Sequence, residues 1–171
     1  MNVNNEIAVL LLGSNLGDRV SFLNGAVELI NQNCGTIFKR SSFYESAPWG
    51  FQEQPYFINQ CVLLETGFQP MKLLSDLKKI ESLLGRTASG KWQARFIDID
   101  ILFYGNRVIE KTNLVIPHPM MAARKFTLIP LHEILPAFIH PVFNISITGL
   151  LEACTDIGDV KFFNISAALH A

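Results

Sequence analysis

The segment RFIDIDILFYG, residues 95–105, constrains the fold most strongly, because it places two aspartates within an apolar run. Side chains alternate between the two faces of a β-strand, so Asp98 and Asp100 are expected on one face with Phe96 and Leu102. The residues expected on the other face, under helices, are Ile97, Ile99, Ile101 and Phe103. Ionised carboxylates are rarely buried without compensation. The segment therefore predicts a strand with one apolar face and one face that carries acids.

Apolar periodicity along the chain predicts the element order β-α-β-β-α-β. A continuous apolar run over residues 7–12 predicts the first strand, which the tight turn GSNLGD closes. Apolar residues at helical spacing predict one helix from Asp18 to about residue 33 and a second over residues 70–84. The two strands between these helices are predicted at TIFKRSSFYES and YFINQCVLLET. The end of the chain is weakly patterned.

This order is that of the ferredoxin-like split βαβ unit, so the expected fold class is α+β. It predicts an antiparallel sheet with helices on one face and an active-site cleft on the other. A chain of 171 residues that is 49% hydrophobic suits one compact domain, residues 1–171. A net charge of −1 gives no hint of a nucleic-acid or membrane partner.

The cysteines and the first apolar run bear on the compartment. Three widely spaced cysteines without a C-x-x-C pair argue against a disulfide framework or a zinc site, and they suggest reduced thiols in the cytosol. The first apolar run is too short for a signal peptide or a membrane span. We therefore expect a cytoplasmic protein.

Two carboxylates one pleat apart can serve a metal site. The α-carbons of Asp98 and Asp100 are expected roughly 6.6 Å apart, and paired metals in phosphoryl-transfer sites lie about 3.5–4 Å apart. Mg²⁺ takes one or two carboxylates and completes its shell with substrate phosphates and water. The alternative is a pair of solvated acids on the wet face of an amphipathic strand.

Cations in the neighbouring segments favour the phosphate interpretation. A polyanion between a metal and guanidinium groups would explain why positive side chains gather around a pair of acids. Without such a ligand they would be ordinary surface ion pairs of small energetic value. These cations are Arg86, Lys91, Arg95, His118 and Arg124.

A second group of residues suits a flat heteroaromatic ligand. Phe57 and Asn59 share a face of their predicted strand, and Phe126 follows Arg124 by two residues. A ring beside an amide can stack on such a ligand and hydrogen-bond along its edge. Core packing is the alternative for either phenylalanine. Asn59 is the more informative residue, because a strand interior disfavours Asn unless its amide is used.

Together these motifs resemble the 6-hydroxymethyl-7,8-dihydropterin pyrophosphokinases of folate biosynthesis. The resemblance runs over most of the chain and rests on LLGSNLGD, SSFYESAPWGFQEQPYFIN, IESLLGR, KWQARFIDIDILFYG, VIPHPMMAARKF and IPLHEI. It implies a ferredoxin-like enzyme that uses two Mg²⁺ ions to transfer a pyrophosphoryl group from ATP to the hydroxymethyl oxygen of the dihydropterin, releasing AMP. We expect a monomer that binds neither nucleic acid nor membrane.

The resemblance also implies roles for individual residues. It makes Asp98 and Asp100 the metal ligands and, with Arg95 and Arg86, the catalytic residues. The ATP contacts that it implies are Glu81, Lys91, Trp92, Arg95, Val115, His118 and Arg124. The pterin contacts that it implies are Ser46, Ala47, Trp49, Phe57, Asn59 and Phe126. The chain departs from the family pattern at Gln93-Ala94, where a Gly-Pro or similar pair is usual, and its basic loop 86–92 is one residue short.

Two other functions stay open on the residues alone. A ferredoxin-like nucleotidyl transferase or cyclase also uses strand acids and magnesium, but it would release pyrophosphate where a pyrophosphokinase releases AMP. A non-catalytic RNA-recognition domain of this architecture would need exposed aromatic residues and a basic face. Without metal, the acids of IDIDI would repel a phosphate backbone.

Overall fold

The fold is a mixed α+β arrangement around a six-stranded sheet, seen in a computed structural model that describes residues 5–49, 53–85 and 94–165. The strands are β1 Glu6–Ser14, β2 Thr36–Arg40, β3 Tyr44–Ser46, β4 Phe57–Thr66, β5 Asp98–Tyr104, β6 Ile109–Lys111, β7 Leu114–Ile116 and β8 Val160–Phe162. The helices are α1 Arg19–Asn33, α2 Pro70–Leu83, α3 Lys125–Ile134 and α4 Ile147–Ala153, with a 3₁₀ turn at Met121–Ala123. None of the helices described is long and apolar enough to span a membrane.

The strand order confirms the ferredoxin-like prediction. The antiparallel sheet runs β5-β1-β4-β3-β8, with β2 also paired to β4, and β6 and β7 form a separate hairpin. Both predicted helices form at the expected positions. The Asp18 carboxylate caps α1 by accepting from Ser21 N at 3.0 Å, and Pro70 occupies the first turn of α2.

The strand predicted at TIFKRSSFYES is two strands, β2 and β3. Between them the backbone leaves the sheet, because Ser42 is bound to Glu133 of α3. The Ser42 N–H and hydroxyl each donate to the Glu133 carboxylate at 2.9 Å. The Tyr44 hydroxyl also donates to this carboxylate at 2.9 Å. The contact with α3 therefore divides the predicted strand.

Helices cover both faces of the sheet, so the prediction of helices on one face is incomplete. The first-face core packs α1 and α2 against alternate residues of β1, β4 and β5. The second-face core packs α3 and α4 against Val9 and Leu11 of β1 and Cys61 and Leu63 of β4. Strands that are apolar on both faces need such cover on both sides. The expected cleft occupies the remaining part of the second face.

A β-bulge explains why one predicted orientation in β5 is wrong. Val9 lies opposite Phe103, whereas Leu10 lies opposite Ile101, so Leu102 is the extra residue. Leu102 and Phe103 both belong to the second-face core, and Tyr104 belongs to the first-face core. Phe103 was expected under α1 and α2. From Ile97 to the bulge the alternation is as predicted, and Ile97, Ile99 and Ile101 belong to the first-face core. Phe96, expected on the face of the acids, precedes β5, and its ring centroid lies 5.0 Å from that of Phe22 in α1.

The neutral imidazole of His140 stabilises the connection between α3 and α4. The side chain is 3% exposed, and its Nδ1 accepts from the backbone N–H groups of Val142 and Phe143, both at 3.2 Å. The ring stacks on Phe143 and meets the Phe103 ring edge-on. Burial lowers the pKa of His140, because a buried imidazolium lacks solvation. Protonation at Nδ1 would also remove the acceptor of both hydrogen bonds.

We predict that His140 makes the fold less stable in acid. Its pKa in the folded protein lies below the unfolded value of about 6.5, so this contribution is complete above that pH and declines as the pH falls below it. Urea unfolding of wild type and H140N at pH 7.5 and 5.5 tests this, since Asn keeps an acceptor that does not titrate. Between pH 7.5 and pH 5.5 the free energy of unfolding should fall by about 1 kcal/mol more in wild type than in H140N. Equal losses would contradict the prediction.

Candidate active site

The cleft floor is built where β1, β4 and β5 pair in one register. Gly13 of β1 lies opposite Asn59 of β4 on one side and opposite Asp98 of β5 on the other. A Cβ atom at Gly13 would lie 3.1 Å from Asn59 Oδ1 and 3.7 Å from Phe57 Cδ1. Any side chain there would crowd the cleft, so glycine keeps the floor open. The cavity above it has a volume of about 450 Å³, which is the size of a small-molecule site.

Most of the predicted site residues line this one cavity. Those that line it are Ser46, Ala47, Trp49, Phe57, Asn59, Arg95, Asp98, Asp100, His118, Arg124 and Phe126. Glu81 is 1% exposed and Val115 is 41% exposed in β7, and neither belongs to the lining. Their predicted contacts with ATP stay predictions. Arg86, Lys91 and Trp92 lie outside the described residues.

The two acids share the cavity with several cations. Arg95 Nη1 lies 2.7 Å from Asp98 Oδ2. Burial raises the pKa of the Asp100 carboxyl, and the negative charge of Asp98 raises it further, against the opposing effects of His118, Lys78 and Arg124. Adjacent carboxylates disfavour each other's charged form. This pair is therefore suited to a divalent cation.

The donor set fits Mg²⁺ better than a metal held by protein ligands alone. Among the described residues, no group of three or more His, Cys, Asp or Glu side chains could hold a metal ion. Two carboxylates that line a cavity suit Mg²⁺, since substrate phosphates and water can complete its shell. Asp98 and Asp100 are the residues that would hold it.

His118 and Arg124 form a cationic wall of the cavity. The His118 backbone N–H donates to Leu102 O at 3.0 Å, which ties this wall to β5. His118 Nδ1 accepts from Met120 N at 3.3 Å, so Nε2 is the ring nitrogen left for a ligand. Burial lowers the pKa of His118, while the charge of Asp100 acts in the opposite direction. The Arg124 guanidinium stacks over the Trp49 ring, 4.5 Å from its centroid.

Asn59 presents its amide oxygen to the cavity in a fixed orientation. Its Nδ2 donates to the Ser46 hydroxyl at 2.9 Å, and both residues are buried. Oδ1 is left facing the space above Gly13. Phe57 and Phe126 line the same cavity. This combination can stack on a flat ring and accept a hydrogen bond from its edge.

Asn15 is a residue of the site that the sequence reasoning missed, because GSNLGD was interpreted only as a tight turn. Its Oδ1 accepts from Arg95 N at 2.6 Å. Its Nδ2 donates to Gln54 Oε1 and Pro55 O, both at 3.2 Å. Asn15 is 1% exposed and joins three chain segments around the cavity. The available signal was an Asn directly after a buried strand, where a buried amide needs partners.

Fold and site together define a class of protein: a ferredoxin-like domain whose cavity is suited to a polyanion and a divalent metal. The model of one family, described as 7,8-dihydro-6-hydroxymethylpterin-pyrophosphokinase, matches residues 9–136. The chain belongs to this family, whose members transfer a pyrophosphoryl group from ATP to hydroxymethyldihydropterin in folate synthesis.

Relatives of different length match the chain. The 2-amino-4-hydroxy-6-hydroxymethyldihydropteridine pyrophosphokinase of Bacillus subtilis is 44% identical over 131 residues, 76% of this chain and 78% of the relative. The Haemophilus influenzae protein of that name is 41% identical over 155 residues, 90% of this chain and 96% of its own. The folic acid synthesis protein fol1 of Pneumocystis carinii is 39% identical over 160 residues, 94% of this chain but 22% of its own length.

A solved structure confirms the fold. Plasmodium falciparum HPPK-DHPS with SDX-DHP superposes with a TM-score of 0.75 at 21% identity, and the match covers 88% of this chain and 44% of that chain. The chain therefore spans less than half of that longer protein.

We predict that Asn15→Ala weakens both the fold and the site. The substitution leaves the Arg95 N–H and the Pro55 carbonyl without their side-chain partner, which should cost about 2 kcal/mol, measured by urea unfolding. AMP formation should fall in parallel, because Arg95 is no longer held. Asn15→Asp keeps the oxygen acceptor and should lie between wild type and N15A. Unchanged stability and turnover in N15A would contradict the prediction.

Proposed function

We propose that this chain transfers the diphosphate of ATP to 6-hydroxymethyl-7,8-dihydropterin, giving AMP and the pterin diphosphate. The observation that carries the proposal is that paired acids, cations and an aromatic–amide group line a single cavity. Family membership supports the same reaction. We further propose that the activity belongs to one domain, residues 1–171, acting as a cytoplasmic monomer.

Asp98 and Asp100 would hold two Mg²⁺ ions. Bound there, the metal would neutralise charge on the phosphates and lower the pKa of the substrate hydroxyl. Arg95 holds Asp98 in position through its 2.7 Å ion pair. Both acids are half-buried and line the cavity.

The cations of the cavity would bind the triphosphate. Arg95, His118 and Arg124 line the same cavity as the two acids. These cations can therefore donate hydrogen bonds to the phosphate oxygens that the metal does not coordinate. Arg86, Lys91 and Trp92 are proposed as further ATP contacts, as are Glu81 and Val115 toward other parts of the nucleotide.

The pterin would bind between Phe57 and Phe126. Asn59 Oδ1 would accept from the N–H groups along the pterin edge, since its Nδ2 is committed to Ser46. Ser46, Ala47 and Trp49 complete this part of the lining. The amide and its serine partner are buried, so the acceptor is oriented before the substrate arrives.

The reaction follows from this placement. The hydroxymethyl oxygen attacks the β-phosphorus, the bond from that phosphorus to the oxygen of AMP breaks, and the hydroxyl proton passes to water. The chain's residues align the two substrates and neutralise the charge that develops, which supplies most of the acceleration in phosphoryl transfer. No residue of the site is required as a dedicated base.

We predict that Asp98→Asn and Asp100→Asn each reduce AMP formation by about 10³-fold or more, because the metal loses a charged ligand. Chromatography of the adenine nucleotides after incubation with ATP, Mg²⁺ and the pterin measures this. Asp159→Asn is the matched control, since Asp159 is an exposed partner of Lys161 and its loss should leave turnover unchanged. Near-normal turnover in both site variants would refute the proposed roles. Release of pyrophosphate by wild type would instead favour a nucleotidyl transferase.

A further inference from the structure

We propose that Lys78 of α2 binds the nucleotide phosphates, as an additional cation of this site. The inference rests on the proposed function and adds a residue to which neither the sequence analysis nor the family resemblance gave a role. Lys78 lines the cavity together with Asp98 and Asp100.

The edge of the sheet explains how a helix residue reaches the acids. β5 is the end strand of the described sheet, and an end strand turns backbone N–H groups away from its neighbour. The Ile99 N–H, between the two acids, donates to Glu81 Oε1 at 2.7 Å. Lys78 Nζ donates to the same oxygen at 3.0 Å. Glu81 therefore joins the ammonium directly to the strand that carries both acids.

The contact with Glu81 positions the Lys78 ammonium and occupies one of its hydrogen-bond donors. Lys78 is 46% exposed in its side chain, whereas Glu81 is 1% exposed. A lysine ammonium has three donors, and in the described part of the chain it donates to Glu81. Its other donors are available to a ligand in the cavity. Phosphate oxygens are the ligand atoms that suit a compact ammonium beside a metal-binding pair of acids.

Lys78 differs from two other predicted ATP cations in its support. Arg86 and Lys91 belong to the basic loop 86–92, which lies outside the described residues. A cation on α2 is held by a packed helix, whose Leu73, Leu77 and Ile80 lie in the first-face core. The site thereby gains a positive charge whose position does not depend on that loop.

The next residue of the same helix provides a matched control. Lys79 pairs with Asp76 at 2.8 Å, is 68% exposed in its side chain, and does not belong to the cavity lining. Calorimetric titration with Mg²⁺ and α,β-methylene-ATP should show that Lys78→Gln weakens binding about tenfold or more, the value of a hydrogen bond to a charged group. Lys79→Gln should bind as wild type does, and Lys78→Arg should retain most of the affinity. Wild-type affinity in K78Q would overturn the inference.

A variant of Glu81 separates phosphate binding from a structural role. If Lys78 only neutralised Glu81, then K78Q would have no effect on nucleotide affinity once Glu81 is replaced by Gln. A direct phosphate contact predicts the same fold loss on adding K78Q to E81Q as to wild type. Loss of the effect in the E81Q background would therefore overturn the inference. The same titration with magnesium tripolyphosphate should show the same ratio between wild type and K78Q, because the contact is to phosphate and not to the nucleoside.

The inference and the proposed function can fail separately. If wild type forms AMP from ATP and the pterin while K78Q binds the analogue normally, Lys78 has no phosphate role and the function stands. If K78Q weakens analogue binding but wild type forms no AMP, Lys78 is a phosphate ligand and the proposed reaction is wrong.

Discussion

The two ladders that β1 forms, with β4 on one side and β5 on the other, hold the rest of the site in place. They set Gly13 between Asn59 and Asp98, so the amide proposed for the pterin and a carboxylate proposed for the metal lie on neighbouring strands of one face. If the β1–β4 pairing slipped by one residue, Asn59 would point into the first-face core, and a slip in the β1–β5 pairing would do the same to Asp98. The register is therefore fixed by the apolar residues of both cores and not by the site itself.

The division of the second face follows from the same strands. Toward one end their residues are apolar and α3 and α4 cover them. Toward the other end Gly13, Asn59, Asp98 and Asp100, together with Phe57, form the cleft. Polar contacts hold the walls of the cleft in place. The Asn15 side chain hydrogen-bonds both to Arg95 and to the segment after β3, and Arg95 forms an ion pair with Asp98. Polar groups fixed before the ligand binds need little ordering when it arrives.

Local periodicity predicted the elements that make the cleft, and the failures have physical causes. The alternation in β5 placed Asp98 and Asp100 correctly, but Phe103 lies beyond a bulge that depends on how β5 packs against β1 and leaves no signal in the strand's own pattern. α4 and β8 come from the weakly patterned end and are defined by tertiary contacts. Asn15 and Lys78 were missed because each acts through partners distant in sequence or across the edge of a strand.

The charges around β5 suggest why such a site is stable before it binds a substrate. Asp98, Asp100 and Glu81 place three carboxylates on or beside one strand, and each has a cation near it: Arg95 on Asp98, Lys78 on Glu81, and His118 with Arg124 acting on Asp100. A magnesium-bound triphosphate brings both signs of charge at once. The metal can pair with the carboxylates while the phosphates pair with the cations. Binding would therefore replace ion pairs within the protein by ion pairs with the ligand. The charge pairs that limit repulsion among the three carboxylates would thus also be the basis of the proposed recognition.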